Sequence, residues 1–201
     1  MRHVDRVARM LAFVLLFAAW TDSNAAEFAA PANDGWHVWH VQGSAGGANA
    51  CCYRWRGSNT STQGCDLDGR HGDSISLGEC DIDGDRVSVY VRIDASRVTR
   101  IRALTANCPV TTRTAVNDMG EVDNSASVAW LLEQVDADSR VADGALAAIS
   151  AHTGDDAFVV LTDLLEDRDR KQKTREQALF WLAQSESERA FDYLDALLSS
   201  N

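Results

Sequence analysis

The hydrophobic period of the chain changes once, and this change limits the folds that the sequence can adopt. Between residues 86 and 93 every second residue is apolar, at Val87, Val89, Val91 and Ile93. Such alternation is typical of a β-strand that buries one face. From residue 123 onward, apolar residues instead recur at helical spacing, beginning with Val128, Leu131, Leu132 and Val135. We therefore expect an α+β protein in which a small antiparallel β segment precedes a helical region.

Two further strands complete the expected β segment. Residues 36–41 are rich in aromatic and β-branched side chains, and residues 98–104 follow a turn at 94–96. A second turn signal, Asp83-Gly84, precedes the alternating strand. Beyond the first helix, amphipathic spacing predicts four more helices, at about 140–152, 155–167, 174–184 and 187–199.

The first 25 residues have the layout of a secretory signal peptide. Arg2, Arg6 and Arg9 precede an apolar run over residues 10–20, and small residues follow at 23–25. The run is shorter than the roughly 20 residues of a membrane-spanning helix, although an uncleaved anchor remains the alternative. The sequence thus predicts export to the periplasm or the exterior, with a signal peptide at 1–25, a β domain at 26–118 and helical repeats at 119–201.

The expected mature chain is strongly acidic. After removal of residues 1–25 it has 16 basic and 28 acidic residues, a formal net charge of −12. Nucleic acid and anionic membrane surfaces attract basic proteins, so neither is an expected partner.

All five cysteines lie in the β segment: Cys51, Cys52, Cys65, Cys80 and Cys108. Export to an oxidising compartment makes disulfides the first interpretation, with one thiol left over and the pairing open. A zinc site that adds His37, His40 or His71 is disfavoured because no Cys-x-x-Cys spacing occurs. Neither a metal nor another cofactor is therefore expected. A functional thiol is the remaining alternative.

The helical region repeats itself. Residues 144–165 align without gaps on residues 177–198, at an offset of 33. The matched positions are those that helical spacing assigns to the buried stripe, including Ala145 with Ala178 and Phe158 with Phe191. This pattern predicts a helix–turn–helix unit that occurs at least twice.

The second unit resembles the short bacterial HEAT repeat of the phycobilisome-lyase-like kind. The resemblance rests on Arg175-Glu176-Gln177-Ala178-Leu179-Phe180-Trp181-Leu182. Exported bacterial HEAT-repeat proteins also carry a Cys-Cys pair and a Leu-x-x-x-Cys-Pro-Val strand end, as at 51–52 and 104–110. The resemblance implies that a disulfide-stapled antiparallel β segment is followed by a short α-helical HEAT-type solenoid that binds proteins.

Two features are candidates for partner binding. The first is a basic segment in an acidic chain: Arg168, Arg170, Lys171, Lys173 and Arg175. Its simpler interpretation is a solvated loop between repeats. The second is Trp181, at the edge of the buried stripe. The neighbouring aromatic residues Phe180, Phe191 and Tyr193 are expected to pack in the core or between units.

The sequence therefore predicts an exported protein-binding or adaptor module without catalytic activity. The expected partner is another protein of unknown identity, and self-association of the chain is the alternative. The alternative function is that of a thiol-dependent redox protein or enzyme that uses a cysteine of the β domain. Lone His152, at a helix end, is expected to interact with the helix dipole.

Overall fold

The computed structural model describes residues 28–43, 53–56, 59–62, 64–69, 74–75, 85–185 and 187–199. The strands within these ranges are β1 (Gly35–Gln42), β2 (Tyr53–Arg56), β3 (Asn59–Thr62), β4 (Gly64–Asp66), β5 (Ser74–Ile75), β6 (Arg86–Asp94), β7 (Arg97–Thr105), β8 (Val110–Thr111) and β9 (Val116–Glu121). The helices are α1 (Asn124–Glu133), α2 (Ser139–Ser150), α3 (Asp155–Glu166), α4 (Gln172–Gln184) and α5 (Glu188–Ser199).

The main sheet has four strands in the order β7-β6-β1-β9. The three strands expected from the sequence pair antiparallel to one another. Strand β9, however, pairs parallel to β1, so the prediction of an antiparallel sheet is wrong and the sheet is mixed. Because β7 and β9 lie at opposite edges and run in the same direction, the connection at 106–115 must cross the sheet between them.

A two-residue turn connects β6 to β7, as the sequence predicts. Ala95 and Ser96 both have positive φ angles, of 51° and 58°. Two successive residues with positive φ are the hallmark of the type I′ hairpin turn, whose twist matches that of the flanking strands. The backbone N–H of Ser96 also donates to the carboxylate of Asp34 at 3.0 Å, which fixes the turn against the start of β1.

One face of the main sheet, the helix face, is covered by the helices. Val87, Val89 and Val91 of β6 point into a core that also contains Leu131 of α1 and Leu146 of α2. The same core continues to Leu161 of α3, Leu182 of α4 and Ala190 of α5. The alternating strand and the helical stripes therefore bury one another.

The opposite face, the outer face, carries a smaller cluster. It contains Trp36 and Val38 of β1, Tyr90 of β6 and Leu104 of β7. The segment around β4 and the 106–115 connection contribute Cys65, Leu67 and Cys108. The short pairing of β4 with β8 holds these two covering segments together.

This architecture corrects the predicted β segment followed by a HEAT-type solenoid. A solenoid unit contacts only its sequence neighbours, whereas α2 packs directly against β7 and shares its core with β1 and β6. The helices are thus one layer of a mixed α/β structure. The sequence pattern did not reveal this arrangement because a stripe of buried residues looks the same whether a helix or a sheet covers it.

The disulfide-stapled description is also corrected. None of the strands of the main sheet contains a cysteine. Cys65 and Cys108 lie in the outer cluster, and Cys51, Cys52 and Cys80 fall outside the described residues. Within the described residues, the apolar core shared with the helices is what holds the main sheet. The proposed signal peptide and the turn at 83–84 likewise lie outside the described residues.

Gly144 allows α2 to approach β7. A Cβ atom built on Gly144 would lie 2.5 Å from the carbonyl oxygen of Ile101, closer than any real contact. Glycine to alanine in an unobstructed helix stabilises by about 1 kcal/mol. Here we expect Gly144→Ala to destabilise the fold by about 1–3 kcal/mol, because the helix must move away from the strand. Urea unfolding followed by circular dichroism measures the change, and a stabilised variant would contradict the close contact.

Candidate functional site

Helix α5 exposes most of its apolar side chains. Ala190 is the residue of α5 that is buried. Phe191 is 72% exposed and Leu198 is 78% exposed, at positions i and i+7 of the same helix. Large apolar side chains grouped in this way on a folded surface are characteristic of interaction sites.

Helix α4 adds a third exposed apolar residue. Phe180 is 54% exposed, and its ring packs edge-on against Trp181 with 5.0 Å between centroids. Trp181 itself is partly buried against the main core. Of the two neighbours, Phe180 rather than the predicted Trp181 is the more accessible. We refer to Phe180, Phe191 and Leu198 as the α4–α5 surface.

The internal repeat shows what covers the equivalent surface one unit earlier. Phe158 of α3 corresponds to Phe191 of α5. The ring of Tyr193 packs edge-on against Phe158 at 6.1 Å, and the guanidinium of Arg189 lies 4.6 Å from the Phe158 ring centroid. Phe191 has no such ring or cation contact within the described part of the chain. The expectation that Phe180 and Phe191 are packing residues is therefore wrong.

The charges around the α4–α5 surface are mainly negative. Glu188, Asp192 and Asp195 lie on α5 and are exposed. The single basic residue of the helix, Arg189, forms an ion pair with Asp155 of α3. The apolar residues of α5 are thus flanked by carboxylates whose charge the helix itself does not balance.

The basic segment predicted for partner binding is largely engaged within the chain. Arg170 bridges the carboxylates of Asp136 and Asp167, and the hydrogen bond to Asp136 raises its pKa. The Nε of Arg175 donates to the carbonyl of Leu165 at 3.0 Å, at the end of α3.

The other three members of the segment differ in their surroundings. Lys173 Nζ lies 3.7 Å from a carboxylate oxygen of Asp143. Arg168 and Lys171 are exposed, and no ion pair within the described ranges involves them. Arg168 and Lys171 are therefore the members of the segment that are accessible without an ion pair in those ranges, and partner binding by the segment stays a prediction.

A serine–histidine pair occurs beneath the helices, and the sequence analysis did not identify it. His152 Nε2 lies 2.8 Å from Ser127 Oγ, and the Trp39 indole N–H donates to the same hydroxyl at 2.8 Å. His152 Nδ1 lies 2.8 Å from the carbonyl of Ala148, so this nitrogen carries the proton and donates. The Ser127 hydroxyl then donates to Nε2. Every polar atom of the network is satisfied by a neutral imidazole.

This pair has the spacing of a nucleophile and a general base, but it lies in the core. Ser127 has 0% of its surface exposed and His152 has 5%. Substrate could not reach the hydroxyl without displacing α1, so the network connects β1, α1 and α2 rather than forming an active site. Burial lowers the pKa of His152, with the backbone carbonyls of Ala148 and Ile149 and the charge of Asp156 acting in the opposite direction. The predicted cationic role at a helix end is therefore replaced by a neutral structural one.

The thiol and metal alternatives gain little from the described residues. Cys65 is 0% exposed and Cys108 is 5% exposed, whereas a reactive thiol needs access to solvent. His37 and His40 lie on opposite faces of β1, and His71 is outside the described ranges. Within those ranges no three histidine, cysteine or acidic side chains are grouped as a metal would require.

Comparison of the chain with protein-family models, curated proteins and solved structures found no match. The resemblance to HEAT-repeat proteins therefore remains a prediction from the sequence. None of the helices in the described ranges combines the length and apolar character needed to cross a bilayer.

Protonation of His152 should make stability depend on pH. An unfolded histidine titrates near pH 6.5, and burial places the pKa of His152 in the folded chain lower. Between these two values the unfolded chain binds more protons, so stability is complete above about pH 6.5 and decreases as the pH falls toward the folded pKa. We expect the urea midpoint of the native chain to be lower at pH 5.5 than at pH 7.5.

The matched variant is His152→Gln, which cannot titrate. It should be less stable than the native chain at pH 7.5, because a buried hydrogen-bond network is disturbed. Its loss of stability between pH 7.5 and pH 5.5 should be clearly smaller than that of the native chain. Equal losses in the two proteins would assign the pH dependence to other groups.

Proposed function

We propose that the chain is an exported protein-binding module that recognises its partner through the α4–α5 surface. The observation that carries this proposal is the exposure of Phe191 and Leu198 on a helix that buries Ala190 alone among its described side chains. Apolar side chains that face water contribute no burial free energy to the fold. A partner that covers them removes apolar surface from water, and this favours binding. Export rests on the signal-peptide pattern of residues 1–25.

The repeat indicates the chemistry of the partner. One unit earlier, Phe158 is covered by an aromatic ring and a guanidinium from the same helix. We infer that Phe191 is covered by a partner helix that presents an aromatic and a basic side chain one turn apart. The exposed carboxylates of Glu188, Asp192 and Asp195 favour a basic rim on that helix.

The proposed partner is a different protein rather than a second copy of this chain. In a two-fold dimer through α5, the same acidic residues would face one another across the interface. Like charges brought together in this way oppose association. Self-association of the native chain is therefore an outcome that would count against the proposed partner class.

The test uses native-compartment crosslinking of the full chain, followed by mass spectrometry. A double variant, Phe191→Ser with Leu198→Ser, should lose the crosslinked partner, because truncation of apolar anchors at an interface weakens binding about tenfold or more. Its stability should change little, since both side chains are exposed. Purified partner then allows the affinity of each variant to be measured by calorimetry.

Val159→Ser is the matched control. Val159 of α3 is 44% exposed, so the variant removes an accessible apolar side chain outside the α4–α5 surface. A second comparison, Arg168→Glu with Lys171→Glu, reverses the two accessible charges of the basic segment. Loss of the partner in this second variant, with retention in the α5 variant, would move the binding site to the basic segment and overturn the proposal.

A further inference from the structure

Arginines that are far apart in sequence converge on the outer face of the main sheet. The strand register places Trp36 of β1 opposite Arg92 of β6, and Arg92 opposite Arg100 of β7. These three side chains form one row across three adjacent strands, because directly paired residues point to the same face. The row is therefore fixed by the backbone of the sheet.

A bulge brings a hydroxyl to the same place. The β6–β7 register shifts between Arg92 and Ile93, so Thr99 is an extra residue in β7. The Thr99 hydroxyl donates to the Asp94 carboxylate at 2.7 Å. Bulges of this kind commonly redirect a side chain beside a binding site.

The row forms one wall of a cavity of about 300 Å³. Four arginines and two aspartates line it: Arg92, Arg100, Arg113, Arg140, Asp68 and Asp94. The chain as a whole has a formal net charge of −11, so a cavity with more cations than anions is contrary to the composition. Its volume lies at the lower end of the range for small-ligand pockets, about 300–1,000 Å³.

Both carboxylates of the cavity are already engaged within the chain. Asp68 accepts from the Trp36 indole N–H at 2.9 Å and from the backbone N–H of Arg113. Burial opposes the charge of Asp68, but these hydrogen bonds outweigh it and lower the pKa of the carboxyl. Asp94 accepts from Thr99 and from the Arg92 Nε, and the Thr99 hydrogen bond lowers its pKa as well. The two groups remain ionised at neutral pH and have defined partners.

Two of the arginines are held rigidly by the fold. Arg92 donates through Nε to Asp94 at 2.9 Å and through Nη1 to Thr114 at 3.1 Å. Arg100 donates through Nη1 to the carbonyls of Leu67 and Gly69. These bonds use only part of each guanidinium, which has five N–H donors in a fixed plane.

The other two arginines have a different environment. Arg113 and Arg140 are exposed, and no carboxylate within the described ranges pairs with either side chain. Arg113 lies in the connection that crosses the sheet, and Arg140 lies in the first turn of α2. Positive charge thus reaches the cavity from the sheet, from the crossing connection and from a helix.

We propose that this cavity binds a small solute that carries an oxyanion group, that is, a carboxylate, phosphate or sulfate. Guanidinium groups match the planar spacing of such oxygens and bind them through paired, charge-assisted hydrogen bonds. Arg113 and Arg140 contact the anion, and the fixed Arg92 and Arg100 provide a positive wall behind it. A volume of about 300 Å³ fits a free small molecule rather than a nucleic acid backbone, which the acidic chain would repel.

The experiment titrates the full chain with four probes at low ionic strength: inorganic phosphate, sulfate, succinate and citrate. Two-dimensional NMR follows the backbone N–H signals of residues 92–100 and 112–114. We expect saturable binding of at least one probe, with chemical-shift changes confined to the cavity and weakened by added sodium chloride. Stronger binding of phosphate and sulfate would indicate a phosphoryl or sulfuryl ligand, and stronger binding of succinate or citrate a carboxylic acid.

Arg113→Gln with Arg140→Gln is the test variant. Both side chains are exposed, so the fold should be retained, and urea unfolding checks this. The double variant should bind the preferred probe at least about tenfold more weakly, because two charge-assisted contacts are removed. Arg168→Gln, an exposed arginine outside the cavity, is the control and should bind like the native chain.

Three results would overturn the proposal: no saturable binding of any of the four probes, equal weakening in Arg168→Gln, or unchanged affinity in the folded double variant. None of these results depends on the α4–α5 surface, so the protein-binding proposal would be unaffected. Conversely, the variant Phe191→Ser with Leu198→Ser should bind the anion probes like the native chain, whether or not it loses the protein partner.

Discussion

The close packing of α2 on β7 is the contact on which the rest of the structure depends. It is possible because Gly144 presents no side chain to the carbonyl of Ile101. With α2 in this position, the apolar alternation of β6 is covered, and α1 and α4 both pack against α2 and contribute to one core. The buried hydrogen bonds from Trp39 through Ser127 to His152 join β1, α1 and the end of α2 at fixed distances. A buried network of this kind is stable only when each group keeps its partner, so it specifies how the helix layer sits on the sheet.

The same packing explains why the second repeat unit differs from the first. Ala145 and Ile149 of α2 lie against the sheet, and α3 is covered in turn by α4 and by Tyr193 of α5. Burial therefore decreases along the helices with distance from the sheet: Leu164 is 3% exposed, whereas its counterpart Leu197 is 40% exposed. The sequence keeps the apolar residues of the repeat at positions that the fold covers less in the second unit than in the first. That mismatch between pattern and burial, rather than hydrophobicity as such, is what makes the α4–α5 surface a candidate interface.

Local patterns predicted the elements well and their assembly poorly. The alternation of Val87 to Ile93 located β6, and the helical spacing after residue 123 located the five helices of the described ranges, because periodicity reflects which side of an element is buried. Strand β9, with the sequence Val-Asn-Asp-Met-Gly-Glu, has no such alternation, because four of its six residues are exposed polar residues or glycine at a sheet edge. Its two apolar residues, Val116 and Met119, are partly buried and pack against different clusters. The parallel pairing of β9 with β1 depends on the path of the 106–115 connection, and no local sequence pattern indicates that path. Arg92, Arg100, Arg113 and Arg140 likewise became neighbours only through the strand register, the crossing connection and the packing of α2 on β7.

The two faces of the main sheet carry different polar groups: a neutral buried network on the helix face and a set of arginines on the outer face. On the helix face, the buried hydrogen-bond network of Trp39, Ser127 and His152 is neutral, and each of its polar groups has a partner. On the outer face, Arg100 and Arg102 hold the segment at 66–69 through hydrogen bonds to its carbonyl oxygens. Hydrogen bonds fix the guanidinium groups of Arg92 and Arg100 to the fold, so these side chains cannot turn toward solvent. Their positive charges therefore stay beside the cavity, although the chain as a whole is acidic. A solute that brings an oxyanion into this cavity would then stabilise the covering segment and the sheet together, because it binds the folded chain alone.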